Sequence, residues 1–472
     1  MSSKRIVKDT IYYGIIPKLT FLISVFTLPL ITPYLTTYDY GISGVISSYS
    51  AFMMSIAPLG LHVHLTNSYF EIPSHYNYVW GRVLYLMLVS SFLFGCVNIL
   101  VLMLTLPMDF SIEMIGLCVV GTIPVFLQVN SLLARHLFPL LQIPKPLVFT
   151  NLFGSVLGLV VSFVLIYYFR LGYWGLVASG TVSAVAVFLI LLKYVWIDYD
   201  IKPIVEKNKK RIVSLLKVAL PLVPHTLGFV LLTSSSRIVM SQLSISYDDI
   251  GLYTHGCAMG DYAVIITTAL ITAISPQIQR AYRSSDYSSY RKLYFLSQAI
   301  AVVSSLMICV WMPEIYSLLI RNEHLAKSAD IASLLCFANV VLAFYTFMST
   351  PVFIEKNTMQ LLWLVLVPGI LNLSLCYIFI PIWGYRVAIY STIISYWSQL
   401  FIPYFVGYYR KNVRLWLGGL SRVLVIFVLL LCSLFLAQFL AEIGLLFKCL
   451  VSLLMLAVFL FVYQREKLYQ LV

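Results

Sequence analysis

Four ionisable residues stand inside or at the end of long apolar runs, and each asks for a chemical reason: Lys18, His225, Arg237 and Asp261. A charge at mid-membrane depth costs about 2.5–3.5 kcal/mol on insertion scales, so such groups persist where they pair, line a water-filled path or meet a charged cargo. Lys18 follows Pro17 and lies about 10 Å into the first run at 1.5 Å per residue. His225 follows Pro224 near the middle of the seventh run, the matching place, and Arg237 closes that run. Cations at several depths would neutralise an anion that has left water. Asp261 lies about 15 Å into the eighth run and is the one carboxylate near the centre of any run. It would either bind and release a proton or a sodium ion, or act as a fixed counter-ion to His225 or Lys18. Pro17 and Pro224 free backbone groups at one level and let both helices bend. The plainer account is that Lys18 snorkels, His225 bridges two helices and Arg237 meets headgroups.

The elements that would position these residues are transmembrane helices. The 472 residues are 61% hydrophobic and 10% charged, with a mean hydropathy of +0.94, far from the half-apolar, quarter-charged soluble average. Their apolar residues form runs of helix-spanning length rather than the short alternating strands of a barrel. The spacing predicts spans at 11–35, 42–66, 82–106, 112–138, 147–169, 173–195 and 213–236, then 251–276, 293–318, 329–351, 359–381, 384–408, 418–440 and 445–463. That is an all-α membrane protein of about 14 helices. The breaks at Arg170–Tyr173 and Glu442–Gly444 are its weakest joins. With the N-terminus inside, 24 Lys and Arg fall in cytoplasmic segments and six outside, so both termini are expected in the cytoplasm. The first run is too long for a signal-peptide core and is expected to remain as a span.

The most polar stretch, Asp198–Arg211, reads as a solvated linker between two six-helix halves. The expected organisation is an N-terminal lobe (1–197), a linker (198–212), a C-terminal lobe (213–408) and two added helices (409–472). The residues just beyond the linker resemble those that open the chain. Ile16-Pro17-Lys18 and Thr37-Tyr38-Asp39-Tyr40-Gly41 in the first half answer to Val223-Pro224-His225 and Tyr247-Asp248-Asp249-Ile250-Gly251 in the second. An even spacing of six spans makes this a parallel, pseudo-symmetric repeat about the membrane normal.

At these residues the chain resembles the polysaccharide-flippase branch of the multidrug/oligosaccharidyl-lipid/polysaccharide exporter superfamily. The resemblance rests on Leu28-Pro29-Leu30-Ile31-Thr32-Pro33-Tyr34-Leu35 with Asp39-Tyr40-Gly41, on Ser235-Ser236-Arg237, on Gly251-Leu252-Tyr253 and on Ser275-Pro276. The family pattern often has Asp-Arg where Ser236-Arg237 stands, so no role for that acid transfers. The resemblance implies two facing six-helix lobes plus two C-terminal helices. It also implies transfer of undecaprenyl-diphosphate-linked sugars to the outer leaflet of the bacterial inner membrane, for O-antigen or capsule. A polysaccharide polymerase and a chain-length regulator would be partners, alongside membrane lipids. No cofactor is expected; coupling to a proton or sodium gradient is the open question. Lys18, His225 and Arg237 would hold the diphosphate, and Asp261 would couple the ion.

Other constellations argue against rival classes. All eight cysteines lie in apolar runs without a CxxC pair, as small core residues do. His62, His64, His75 and Glu71 make a poor zinc set and read as interfacial residues. The net charge of +13 has no aromatic-plus-basic module beside it, so nucleic acid is not expected. A drug-cation antiporter would want central acids in its first six spans, which have none, and a polymerase a long outside loop or a soluble catalytic region, whereas the longest outside loop expected is near Met312–Ser328.

Overall fold

The computed structural model describes residues 16–355 and 357–465. Apolar runs of spanning length leave the backbone one way to satisfy its hydrogen bonds in lipid, within the segment. Accordingly, every regular element among the described residues is helical. The chain divides into two compact units, residues 1–251 and 252–472.

The first unit holds α1 (Ile16–Ile31), α2 (Thr37–Ile56), α3 (Val63–Glu71), α4 (Tyr76–Thr105), α5 (Ile112–Leu140), α6 (Lys145–Phe163), α7 (Gly172–Leu192), α8 (Lys209–Ala219) and α9 (Val223–Gln242). α6 packs on α1 and α7, α5 on α4 and α7, and α9 on α2. α2 starts at a capping box: Thr36 N–H and Oγ1 both donate to Asp39 Oδ2 at 2.7 Å, and Asp39 N–H returns to Thr36 Oγ1 at 3.2 Å. α10 (Tyr247–Gly260) begins in this unit and runs into the next.

The second unit continues with α11 (Tyr262–Arg283), α12 (Tyr287–Val310), α13 (Met312–Leu319), α14 (Glu323–Ala326), α15 (Ala329–Leu335), α16 (Leu342–Ile354), α17 (Leu361–Trp383), α18 (Val387–Ser398), α19 (Ile402–Phe405), α20 (Gly407–Trp416), α21 (Leu420–Ala441) and α22 (Leu445–Arg465). Its centre is aromatic: Tyr294 stands edge-on to Trp416 with centroids 4.9 Å apart, and Tyr290 meets Phe347 at the same separation. Such pairs prefer edge-to-face geometry because ring edge and face carry opposite partial charge. The Tyr290 hydroxyl donates to Phe347 O at 2.6 Å, so its polar tip is not stranded in the core.

Among the described residues ten helices are long and apolar enough to cross a membrane, beside shorter apolar stretches at 23–34 and 445–455, where the sequence pointed to about fourteen spans. Of the four runs that differ, the first and the last, 11–35 and 445–463, extend beyond the residues whose side chains are described, and the other two have structural causes. The run 42–66 breaks where Leu59 (φ 50°) and Gly60 (φ 70°) turn left-handed, and 384–408 divides into α18 and α19. Moreover, α2 has spanning length but too many polar residues to count by hydropathy. It spends them inside the protein: Ser48 Oγ donates to Gly44 O at 2.7 Å and Ser50 Oγ to Gly121 O of α5 at 3.0 Å. The weak joins at Arg170–Tyr173 and Glu442–Gly444 are real breaks between helices.

The stretch expected to be a solvated linker is docked. Ile201 is fully buried, Asn77 Nδ2 donates to Tyr199 O at 3.1 Å, and Ile204 N–H donates to Gly81 O at 2.9 Å. Glu206 lies between Arg82 (3.2 Å) and Arg211 (3.3 Å) with its side chain 5% exposed. Apolar Ile201 and Ile204 alternate with the charges, and a charge count alone conceals them.

Candidate functional site

The first unit has two chemically distinct ends. Asp39, Glu113 and Asp248 stand at one, where Tyr173 binds the first two and Thr37 the third; Arg82 and Arg211 flank Glu206 at the other. α2 and α9 run between them and carry the residues of interest.

At the acidic end α2 meets the first turn of α10 closely. A Cβ on Gly41 would collide with the carbonyl of Tyr247, and a Cβ on Gly251 would collide with the carbonyl of Thr37. Thr37 Oγ1 donates to Asp248 Oδ1 across the same contact. Tyr247 reaches on to α4, its hydroxyl donating to Thr105 O at 2.6 Å, and Asp39 accepts from Tyr173 N–H at 2.8 Å. Nearby, the Arg170 guanidinium sits 3.3 Å over the Tyr34 ring, a cation–π contact joining the ends of α1 and α6. Further along the seam Tyr49 of α2 lies 3.4 Å from both Ser241 and Gln242. These side chains are polar because they pair across the seam.

The basic end gathers histidines. Pro221 and Pro224 fall in and just after the 3-10 turn Leu220–Leu222, which joins α8 to α9 in one helical stretch, Lys209–Gln242, long and apolar enough to cross a membrane. His225 and Pro224 stand in the first turn of α9, midway along that stretch. Thr226 Oγ1 donates to Ser55 O at 3.1 Å and fixes this turn against the end of α2. The His62 ring, in the turn after α2, stacks on that of His136 of α5 with centroids 5.6 Å apart and planes 26° from parallel. His225 lies within electrostatic reach of His62.

Arg237, twelve residues beyond His225 on the same helix, is about 18 Å away at the helical rise. Its Nη2 donates to Thr233 O at 3.1 Å. Pro17 and Lys18 occupy the first turn of α1, and their side chains lie outside the described residues. Asp261 stands at the break between α10 and α11, exposed, with Asn339 Nδ2 donating to its Oδ1 at 3.3 Å. Sequence reasoning missed His136, an ionisable residue near the end of an apolar run, and His255. His255 is 1% exposed, its Nδ1 2.7 Å from Ser328 Oγ, which lies 2.9 Å from the Tyr316 hydroxyl. It also missed that Lys448, counted among the outside cations, is buried against Glu314 at 2.6 Å. A largely apolar cavity of 380 Å³ opens between α18 and α21, lined by Trp397, Phe401, Phe427, Leu431 and Phe435 among others.

The fold is similar to those of solved membrane transporters and flippases. An inward-closed structure of the lipid II flippase MurJ is similar, with a TM-score of 0.74 at 12% identity, covering 97% of this chain and 100% of that one. An inward-facing multidrug resistance MATE family transporter of the MOP superfamily matches at 0.63 and 15% identity, over 88% and 98%. A MOP superfamily transporter from Pyrococcus furiosus, described as having a binding pocket of reverse polarity, matches at 0.52 and 15%, over 87% and 96%. The chain belongs to the polysaccharide biosynthesis protein family, whose sequence model matches residues 6–276. No curated protein matches the sequence.

Proposed function

We propose that this protein carries a lipid-diphosphate-linked oligosaccharide from the cytoplasmic to the outer leaflet of the bacterial inner membrane by alternating access. One observation carries the reading. In a chain of the polysaccharide biosynthesis family, the fold of a lipid II flippase extends over 97% of the length, against 88% for a multidrug transporter. The basic residues of α1 and α9 suit an anionic cargo: Lys18, His225 and Arg237 would meet the diphosphate in turn. Asp261, held by Asn339 at a helix break, would bind and release the coupling proton or sodium ion. The work is translocation rather than bond-making, so no catalytic group is required. A polymerase with its chain-length regulator would take the sugar on the outer side.

The test is reconstitution of the full chain in vesicles with a lipid-linked oligosaccharide whose sugar is detected only when exposed. Protein-dependent appearance of sugar on the opposite leaflet, strongly reduced in Lys18→Ala, is the expected result. Export of organic cations without any movement of the lipid-linked sugar would overturn the reading in favour of a drug antiporter.

A further inference from the structure

Three histidines from three separate elements meet at the basic end of the first unit: His62 in the turn after α2, His136 on α5 and His225 on α9. We propose that they form a proton-linked binding site for a diphosphate-class anion, the head of the lipid carrier. The proposal rests on the carrier reading above and adds both the residues and the way the site loads.

The geometry is that of a site awaiting an anion. All three residues are partly exposed. His62 Nδ1 and His225 Nε2 are buried nitrogens without a hydrogen-bond partner among the described residues, although polar atoms in such positions are almost always paired. Their neighbours supply no counter-charge. On α5 the charged neighbour is Arg135, which acts on His136, and Thr66 of α3 lies 3.3 Å from His136 Nδ1. His64 of α3 is engaged with Leu215 O of α8 at 2.9 Å. Arg82 of α4 and Arg211 of α8 are held by Glu206, and Phe229 of α9 stands edge-on to His225 with centroids 5.5 Å apart. No carboxylate acts on any of the three rings among the described residues. No group of three His, Cys, Asp or Glu among those residues is arranged to hold a metal ion.

Imidazole is a group that gains a proton near neutral pH. Protonation puts an N–H where a lone pair stood, and two stacked imidazolium rings with no acid beside them repel. A diphosphate supplies the missing negative charge and accepts the new N–H bonds. Each imidazole that becomes charged takes one proton from cytoplasmic water and returns it when the anion leaves. Neither lysine nor arginine offers this, since both stay charged whether the cargo is present or not.

Calorimetric titration of the purified full chain with inorganic pyrophosphate, and separately with undecaprenyl diphosphate, between pH 6 and 8 in two buffers of different ionisation enthalpy tests the site. Net proton uptake of about one per anion, with affinity rising up to about tenfold per pH unit on acidification, is expected for both ligands. His62→Gln, His136→Gln and His225→Gln should each lower affinity and remove the uptake. His225→Lys should keep most of the affinity while flattening its pH dependence, which a folding defect would not do. His75→Gln, on an exposed loop, should behave as wild type. Pyrophosphate binding without proton uptake, or uptake unchanged in all three Gln variants, overturns the proposal. So does equal competition by phosphatidylglycerol nanodiscs, which would make this an ordinary phospholipid headgroup site. Undiminished sugar flipping by the triple Gln variant removes the site but leaves the carrier reading standing. Proton-linked pyrophosphate binding by a wild-type protein that flips no sugar removes the carrier reading and the lipid assignment, and retains the anion site.

Discussion

Replacing Gly41 by alanine should prise open the contact between α2 and α10. A Cβ there would lie 2.8 Å from the Tyr247 carbonyl carbon and 3.2 Å from its Cα, and closer still to the carbonyl oxygen. Carbon atoms pack comfortably at about 3.5–4.0 Å, so the two backbones must part by roughly an ångström. The obstacle is main chain, which cannot rotate aside as a side chain can. Overpacking of this kind costs about 1–3 kcal/mol, which shifts the closed-to-open ratio of the seam about 5- to 150-fold.

The readout is labelling of Val45→Cys by a membrane-impermeant maleimide. Val45 is fully buried one helical turn from Gly41, and valine to cysteine changes its size little. The labelling rate should rise by the same factor in Gly41→Ala, and Gly251→Ala should act alike because it meets the Thr37 carbonyl in the same way. Combining the two should cost less than their sum, since the first opening relieves the second clash. Gly180→Ala, where nothing lies within 4 Å of the added carbon, is the control. Equal labelling rates in Gly41→Ala and its parent, with equal thermal stability, would refute the reasoning.

The Glu314–Lys448 pair should respond unequally to loss of its two partners, because the lysine side chain is 2% exposed and the glutamate 31%. Glu314→Gln strands a buried ammonium and should cost about 3–5 kcal/mol, whereas Lys448→Met leaves a carboxylate that water can reach and should cost about 1 kcal/mol; denaturation in detergent that ranks them oppositely contradicts this. The docking of residues 199–208 should fail in acid. The Asn208 backbone N–H, helped by the Arg211 and Arg82 guanidinium groups, holds the Glu206 carboxyl below the usual glutamate range. A carboxyl depressed in the folded state adds stability above its unfolded value of about 4.3, and that stability is lost as pH falls below it. Proteolytic cutting between Tyr199 and Asn208 should therefore rise below about pH 4, and at neutral pH in Glu206→Gln; cutting that ignores both changes would count against the docking.

Much of the architecture was legible because a membrane leaves the chain few options. Run length, turn residues and the placement of Lys and Arg located most helices, down to the breaks at Arg170 and Glu442. The departures have a common physical origin: hydropathy reports a residue's own preference, not the partner it finds. Ser48 and Ser50 weaken the hydropathy of α2, yet both are satisfied within the protein. Glu206 looked solvated because Arg82, one of its two arginine partners, is distant in sequence, and Lys448 looked like a loop cation because Glu314 is.

The half-repeat was the feature whose meaning only three dimensions could supply. In sequence, Thr37 to Gly41 and Tyr247 to Gly251 are two short segments with an acid and a glycine at matching offsets, a pattern that chance produces easily. In space each glycine faces the carbonyl that opens the other segment: Gly41 against Tyr247, Gly251 against Thr37. An exchange in which residue i of one copy meets j of the other, and j meets i, is what a two-fold axis produces at a self-complementary contact. The two segments thus meet in a reciprocal contact at the acidic end, as a local two-fold axis would place them. A contact of this kind holds the ends of two helices with two small residues and one Thr37–Asp248 hydrogen bond, little enough to be broken and remade. The Gly41 and Gly251 substitutions probe that economy directly: equal effects from the two are a consequence of the symmetry, and a large inequality between them would mean that the resemblance of the two segments is only sequence deep.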